Sequence, residues 1–246
     1  ANHSTEYDSS HIPCCHGFLP AVLLHSGNPN RENTMIDLSE ARRNLMTLGL
    51  DVSTAPANPL ELFSGWLAYA ASLEIHNHNA MAVATAAVDG QPSVRNVLYR
   101  GEADGGLSFY TNYTSRKGRE IVANPRAEAL FSWLGIERQV RCTGEVHRLS
   151  AAQSDTYFNQ RPRASRLAAI ASPQSQTIAS RAVLIERHDR LAADLDGADP
   201  QRPDHWGGYV LVPVRIEFWQ GREHRLHDRV VYERAGSGWD VSRIAP

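Results

Sequence analysis

The chain has 246 residues, 42% of them hydrophobic and 21% charged, with a formal net charge of −2. That length can bury a generous core in a single domain, and the near-neutral charge excludes a broad electrostatic surface for nucleic acid or an anionic membrane. No apolar run reaches the roughly 20 residues of a membrane-spanning helix, and Cys14, Cys15 and Cys142 are too few and too oddly placed for a disulfide framework, which points to a reducing, cytoplasmic setting.

Residues 1–35, rich in His, Asn, Ser and Pro, keep neither a helical nor a strand period, and read as a disordered leader or extension before one domain over 36–246. FLPAVLL within it has no basic leader and no small-residue cleavage site, so no secretory signal is expected. Cys14, Cys15 and His16 do not have the spacing of about two to four residues usual for zinc cysteines, so no metal is expected. Ordered sequence begins near IDLSEARRNL, and from Asn58 a helix follows, with Pro59 at its start and Leu60, Phe63, Leu67 and Ala70 on one face.

Strand signals then come in series: AMAVATAAV, SVRNVLYR and LSFYTNY, separated by DGQP and DGG, then AEALFSWL and RQVRCTGEVHRL. Ser150 and Gln153 form a capping-box start to a helix over SAAQSDTYFNQR, and a second helix is expected over Ile178–Leu195. GYVLVPVRIEFW, HRLHDRVVYER and WDVSRIAP close the chain, turned by QG and GSG. Short strands joined mainly by tight turns predict an antiparallel β-barrel with peripheral α-helices, a mainly β fold.

Three segments concentrate cations. TSRKGREI, directly after a strand, brings hydroxyls, free helix N–H groups, Arg116 and Lys117 to one point, as a phosphate site requires; a solvated basic turn uses the same residues. RPRAS repeats the ingredients with Arg161 and Ser165, and Tyr157 four residues earlier shares their face; an exposed basic helix end is the plainer account. FWQGREHRLHDR, read as a strand beyond a Gln220-Gly221 turn, aligns Arg225, His227 and Arg229 on one face, opposite either solvent or a small anion.

SFYTNYTSRKGREI, ERQVRCTGEV, YFNQRPRAS, the Gln174-Ser175 pair, HWGGY and EFWQGREHRLHDR, in this order, resemble the pyridoxine (pyridoxamine) 5'-phosphate oxidase family, from about Arg42 to the terminal RIAP. The resemblance implies an FMN-binding split β-barrel, a homodimer with flavin at the interface, and oxidation of pyridoxine 5'-phosphate or pyridoxamine 5'-phosphate to pyridoxal 5'-phosphate by O2. Peroxide is released, with ammonia from the amine. It further implies that Arg116 and Lys117 hold the flavin phosphate, with Arg95, Arg100, Tyr110, Thr111, Gln139, Gln174, Ser175, Trp219 and Arg229 completing the flavin site. By the same resemblance Tyr157, Arg161 and Ser165 grip the substrate phosphate, with Arg42 and Arg100 nearby, while Arg225 and His227 hold the ring and carry the catalytic roles.

The chain departs from the family pattern at three places. Arg100 stands for a lysine; SRLAAI, Ser165 to Ile170, replaces Ser-Gln-Ile-Gly-Ala-Trp; and Arg42-Arg43-Asn44-Leu45 puts a leucine where the family has tyrosine. Alternation along SVRNVLYR sets Arg95 and Arg100 on opposite faces, so one must reach the site through a bulge or from the strand's end. A paralogue oxidising another small ring, and a flavin or pyridoxal-phosphate carrier without turnover, are the alternatives; the second phosphate grip argues against the first, and Arg225 with His227 against the second.

Overall fold

The computed structural model describes residues 38–246; the expected leader and the Cys14-Cys15-His16 group lie outside the described residues. The apolar runs form β1 (Ala80–Ala86), β2 (Pro92–Leu98), β3 (Glu102–Ala103), β4 (Gly106–Asn112), β5 (Arg126–Trp133), β6 (Arg138–Arg148), β7 (Trp206–Gln220), β8 (Asp228–Ala235) and β9 (Gly238–Arg243). Every pairing is antiparallel, in the order β2-β1-β5-β6-β7-β4-β3, with β8 on β7 and β9 on β8. Just past β2, the Arg100 N–H donates to the Ser108 carbonyl at 2.9 Å and the Ser108 N–H to the Gly101 carbonyl at 3.0 Å, which brings the two ends of the sheet together.

Strand β7 carries the topology. One edge pairs with β6 from Tyr209 to Gln220; the other pairs with β4 through Trp206–Leu211 and with β8 through Arg215–Gln220. Between these halves, Pro213 has no N–H to give a ladder, and the β6 register jumps from Thr143 opposite Arg215 to Gly144 opposite Pro213, leaving Val214 unpaired. A bulge of this kind bends a strand and increases its twist. Gly144 is needed there because a Cβ would lie 2.0 Å from the Val212 carbonyl oxygen.

The helices are α1 (Leu38–Leu48), α2 (Pro59–Ser72), α3 (Arg116–Ala123), α4 (Ala151–Gln160), α5 (Arg163–Ala171) and α6 (Arg181–Asp194). Asn58 caps α2 by accepting from the Leu60 N–H at 3.1 Å, with Pro59 in the first turn, and the helix packs Phe63 4.8 Å from Phe131 and Trp66 5.3 Å from Phe218. The capping box of Ser150 and Gln153 forms as expected. Helix α6 starts three residues later than Ile178, where the Ser180 hydroxyl takes the Val183 N–H at 3.4 Å. Pro162 ends α4 and opens α5, a helix not expected from the sequence. Gly144→Ala should destabilise the fold by about 1–3 kcal/mol through overpacking at the bulge, seen as a lower denaturant midpoint with an unchanged m-value.

Candidate functional site

A cavity of about 1000 Å3 opens where β4, α4, α5 and the N-terminal part of α6 meet, and it gathers Arg100, Tyr110, Thr111, Lys117, Tyr157, Arg161, Ser165 and Gln174. Arg100 enters from the end of β2, which answers the alternation problem. None of the residues lining the cavity is acidic, although Arg100, Lys117, Arg161 and Arg181 all line it. Tyr110 stacks on Tyr157 at 3.8 Å between centroids and lies 5.7 Å from Trp206, giving three nearly parallel rings. The Arg161 guanidinium sits 4.7 Å over Trp206. Its Nη1 is buried without a hydrogen-bond partner among the described residues. Burial lowers the Arg161 pKa, and the charge of Arg100 adds to the effect.

The TSRKG segment forms the adjacent wall. Ser115 caps α3 by accepting from the Gly118 N–H at 3.3 Å, and Gly118 lets the helix approach so closely that a Cβ would lie 2.1 Å from the Tyr113 carbonyl oxygen. Lys117 is thereby turned inward, 7% exposed, and donates to Gln174 Oε1 at 2.7 Å and Thr111 Oγ1 at 2.9 Å. These acceptors are neutral. Burial pushes the Lys117 ammonium down to about 8, with the charge of Arg95 acting in the same direction. A buried ammonium without a carboxylate, in a cavity that also holds an orphaned guanidinium N–H, fits an anionic group.

Arg95 and Arg116 stand behind this wall and line none of the three cavities described here. Arg95 turns back into the sheet toward Thr85, Ser93 and Glu120, while Arg116 is half-exposed and gives its Nε to Glu120 at 2.8 Å. Ser175 is exposed, in a left-handed conformation with φ 68°.

The remaining predicted residues lie elsewhere on the chain. A second cavity, about 210 Å3, is lined by Gln139, Arg141, Glu217, Trp219, Arg229 and Pro246. Glu217, 2% exposed, faces Arg141 at 2.5 Å, Arg229 at 2.8 Å and Arg215 at 3.1 Å. Burial alone would raise its carboxyl, yet the hydrogen bonds and charges of these arginines hold it below the usual carboxylate range. Arg229 thus shares one protein carboxylate with two other arginines.

The cationic strand face predicted for FWQGREHRLHDR does not form. Residues 221–227 make a loop in which His224 and Arg225 adopt left-handed φ of 57° and 63°, and β8 begins at Asp228, opposite Gln220. The loop is held by Arg222, which donates to the Met46 and Thr47 carbonyls at the end of α1 and pairs with Asp228 at 3.5 Å. The backbone N–H of Arg222 also donates to His227 Nδ1 at 3.1 Å, which leaves the proton of the neutral ring on Nε2. His227 packs 4.7 Å from Trp219 and borders a third cavity, of about 320 Å3. Arg225 is exposed and has no partner among the described residues. Arg42 pairs with Glu137 at 2.7 Å, and Leu45, in place of the tyrosine, is buried in the core.

An antiparallel split barrel with a cation-lined cavity defines a flavin-binding class, and the comparisons agree. Residues 69–190 match the family model described as pyridoxamine 5'-phosphate oxidase, and residues 206–246 the pyridoxine 5'-phosphate oxidase C-terminal dimerisation region. The pyridoxine/pyridoxamine 5'-phosphate oxidase of Paraburkholderia xenovorans is 48% identical over 214 residues, 86% of this chain and all of that one. That of Polynucleobacter asymbioticus is 46% identical over 212 residues, with the same coverage. Among solved structures, PhzG from Burkholderia lata, in complex with tetrahydrophenazine-1-carboxylic acid, matches with a TM-score of 0.75 and 32% identity, over 79% of this chain and 95% of that one. An FMN-binding protein of Nostoc punctiforme, 19% identical with a TM-score of 0.62 over 78% of this chain and all of that one, shares the fold. The chain belongs to the pyridoxine/pyridoxamine 5'-phosphate oxidase family, and its cofactor is FMN.

Sequence reasoning passed over Trp206, although HWGGY contains it, and assigned nothing to Glu120 or Glu217, whose meaning depends on which arginines the sheet registers set beside them. One consequence concerns pH. In the flavin-free protein the folded Lys117 loses its proton near pH 8 and the unfolded one near 10.5. Between these values the unfolded state binds more protons, so this group makes stability rise with pH. Lys117→Met should remove that rise, measured by urea unfolding of the two flavin-free proteins at several pH values across this window.

Proposed function

We propose that the protein oxidises pyridoxine 5'-phosphate and pyridoxamine 5'-phosphate to pyridoxal 5'-phosphate, with O2 as electron acceptor and H2O2 as product, together with NH3 from the amine. The observation that carries this reading is the carboxylate-free cavity, which holds both the Arg161 guanidinium, whose Nη1 is buried without a partner among the described residues, and the buried Lys117 ammonium. Two anion grips suit a phosphorylated cofactor and a phosphorylated substrate. Names of relatives at 46–48% identity support the same reaction.

In this reading Lys117 and Arg116 hold the FMN phosphate, with Arg95 behind them, and Tyr110, Thr111, Gln174 and Ser175 line the way toward the ring. FMN, when bound, supplies the acceptor for the two electrons leaving the substrate carbon. Arg161, Tyr157, Ser165 and Arg100 bind the substrate phosphate. Gln139, Trp219, Arg229, Arg225 and His227 do not line the large cavity, and we assign them to the site of a second copy in a homodimer. The matched dimerisation region supports this arrangement. Arg225, exposed and without a partner among the described residues, can lay its planar guanidinium on a ligand from that copy. His227 donates from Nε2, because Nδ1 is occupied by the Arg222 N–H; it orients a substrate oxygen and does not remove a proton.

The similarity to PhzG supports a second reading, oxidation of an unphosphorylated aromatic ring acid. Substrate-dependent peroxide release separates the two. Turnover with pyridoxine 5'-phosphate and little with unphosphorylated pyridoxine is expected; FMN-loaded protein that turns over neither would overturn the proposal. Arg161→Ala should raise KM for the phosphorylated substrate roughly 10- to 100-fold, the range for losing a hydrogen bond to a charged group. Arg225→Ala and His227→Ala should lower turnover with FMN retained, and loss of the yellow cofactor instead would reassign both residues to the flavin.

A further inference from the structure

Glu120 begins the second turn of α3, 6% exposed, and its carboxylate gathers groups from three elements. Oε2 accepts from Thr85 Oγ1 of β1 at 2.5 Å and from Ser93 Oγ of β2 at 2.5 Å, and faces Arg95 Nη2 of β2 at 3.2 Å; Oε1 accepts from Arg116 Nε at 2.8 Å. Burial would raise this carboxyl, yet the four donors hold it down at about 2, so it is ionised throughout the neutral range. It is a buried anion placed directly behind a group of cations.

The two arginines are used differently. Arg95 directs Nη1 to the Val83 carbonyl and Thr85, and Nη2 to Ser93 and Glu120, so its terminal donors all point inward and it contributes charge alone. Arg116 gives Glu120 only its Nε; its terminal N–H groups have no partner among the described residues, and the side chain is 54% exposed. Holding Nε fixes the plane of the guanidinium and turns its outer edge away from the sheet. Arg95, Arg116 and Lys117 would otherwise be three like charges packed around one short helix, and the single carboxylate leaves two net positive charges, close to the charge of a phosphate monoester at neutral pH.

We propose that Glu120 is a positioning residue for the phosphate end of the flavin site: it aims Arg116 outward and matches the charge of the Arg95–Arg116–Lys117 group to that of a phosphate dianion. The inference rests on the proposed assignment of Arg116 and Lys117 to the FMN phosphate. Removing the carboxylate adds a net positive charge, which at the exposed Arg116 is screened by salt. It also frees Arg116 to sample other rotamers, which loses charge-assisted hydrogen bonds. The second effect is the larger.

The test compares FMN with riboflavin, which lacks the phosphate, by flavin fluorescence titration of the flavin-free full-length protein. Glu120→Gln keeps the volume and leaves one accepting oxygen. It should weaken FMN roughly 10- to 100-fold and leave riboflavin affinity unchanged. In an Arg116→Ala background the same substitution should cost FMN much less, since the two residues act through one interaction. Should Glu120→Gln fail to fold, Glu120→Asp, which withdraws the carboxylate by one methylene, is expected to show the same phosphate-selective loss to a smaller degree. Equal loss of both flavins would make Glu120 a plain structural support and overturn the proposal, as would unchanged FMN binding. Wild-type protein that binds riboflavin as tightly as FMN would overturn the phosphate assignment itself, a separate failure visible before any variant is made.

Discussion

Almost everything in this fold depends on how one long strand shares its edges. β7 pairs along its length with β6, interrupted by one bulge, but divides its other edge between β4 and β8, and the division falls at Pro213, where a ladder bond is impossible in any case. Gly144 lets the neighbouring backbone close over the irregularity. The first half of β7 therefore joins the wall that carries Trp206, Tyr110 and the α3 cap, and the second half joins the wall that carries Trp219, Glu217 and Arg229. One bulge sets the separation of the two candidate half-sites.

At both walls a buried carboxylate stands behind arginines. Glu217 gathers Arg141, Arg215 and Arg229; Glu120 gathers Arg95 and Arg116. Buried ion pairs of this kind do little for stability relative to apolar packing, and their value lies in holding flexible cations in one orientation. The large cavity between follows the opposite rule: its lining has no acid, so Lys117 and Arg161 keep unmet electrostatic demand. Arginines held by Glu120 and Glu217 are fixed in orientation, while Lys117 and Arg161 in the large cavity have no carboxylate partner among the described residues.

Much of the fold was legible because most of the longer strands carry apolar residues between turn residues, and the Ser150-Gln153 and Asn58-Pro59 signals mark helix starts that are realised; the two-residue β3 carried no such signal. FWQGREHRLHDR misled for a physical reason. Period-two alternation assumes extended backbone, and nothing in the side-chain pattern announces two consecutive left-handed residues at His224 and Arg225 or a loop tied to the distant end of α1 through Arg222. The roles of Glu120 and Glu217 were hidden likewise, since an acid in a strand or short helix reads as a solvated residue until the register supplies its arginines. TSRKG and RPRAS were readable as anion grips, though only the fold brings Tyr110, Tyr157 and Trp206 into one stack. The family came from motif resemblance, not from spacing.

Trp206 and Trp219 stand near opposite ends of the same 15-residue strand, whose contour runs to roughly 45 Å at about 3.3 Å per residue. On the proposed assignment, each copy of β7 in a two-fold dimer would serve two different catalytic centres, one with either end. A lesion at the Trp206 end in one chain and a lesion at the Trp219 end in the other would fall together on one centre and leave the second untouched. Two inactive variants mixed as subunits would then restore activity that neither has alone, a form of complementation written into the length of a single strand.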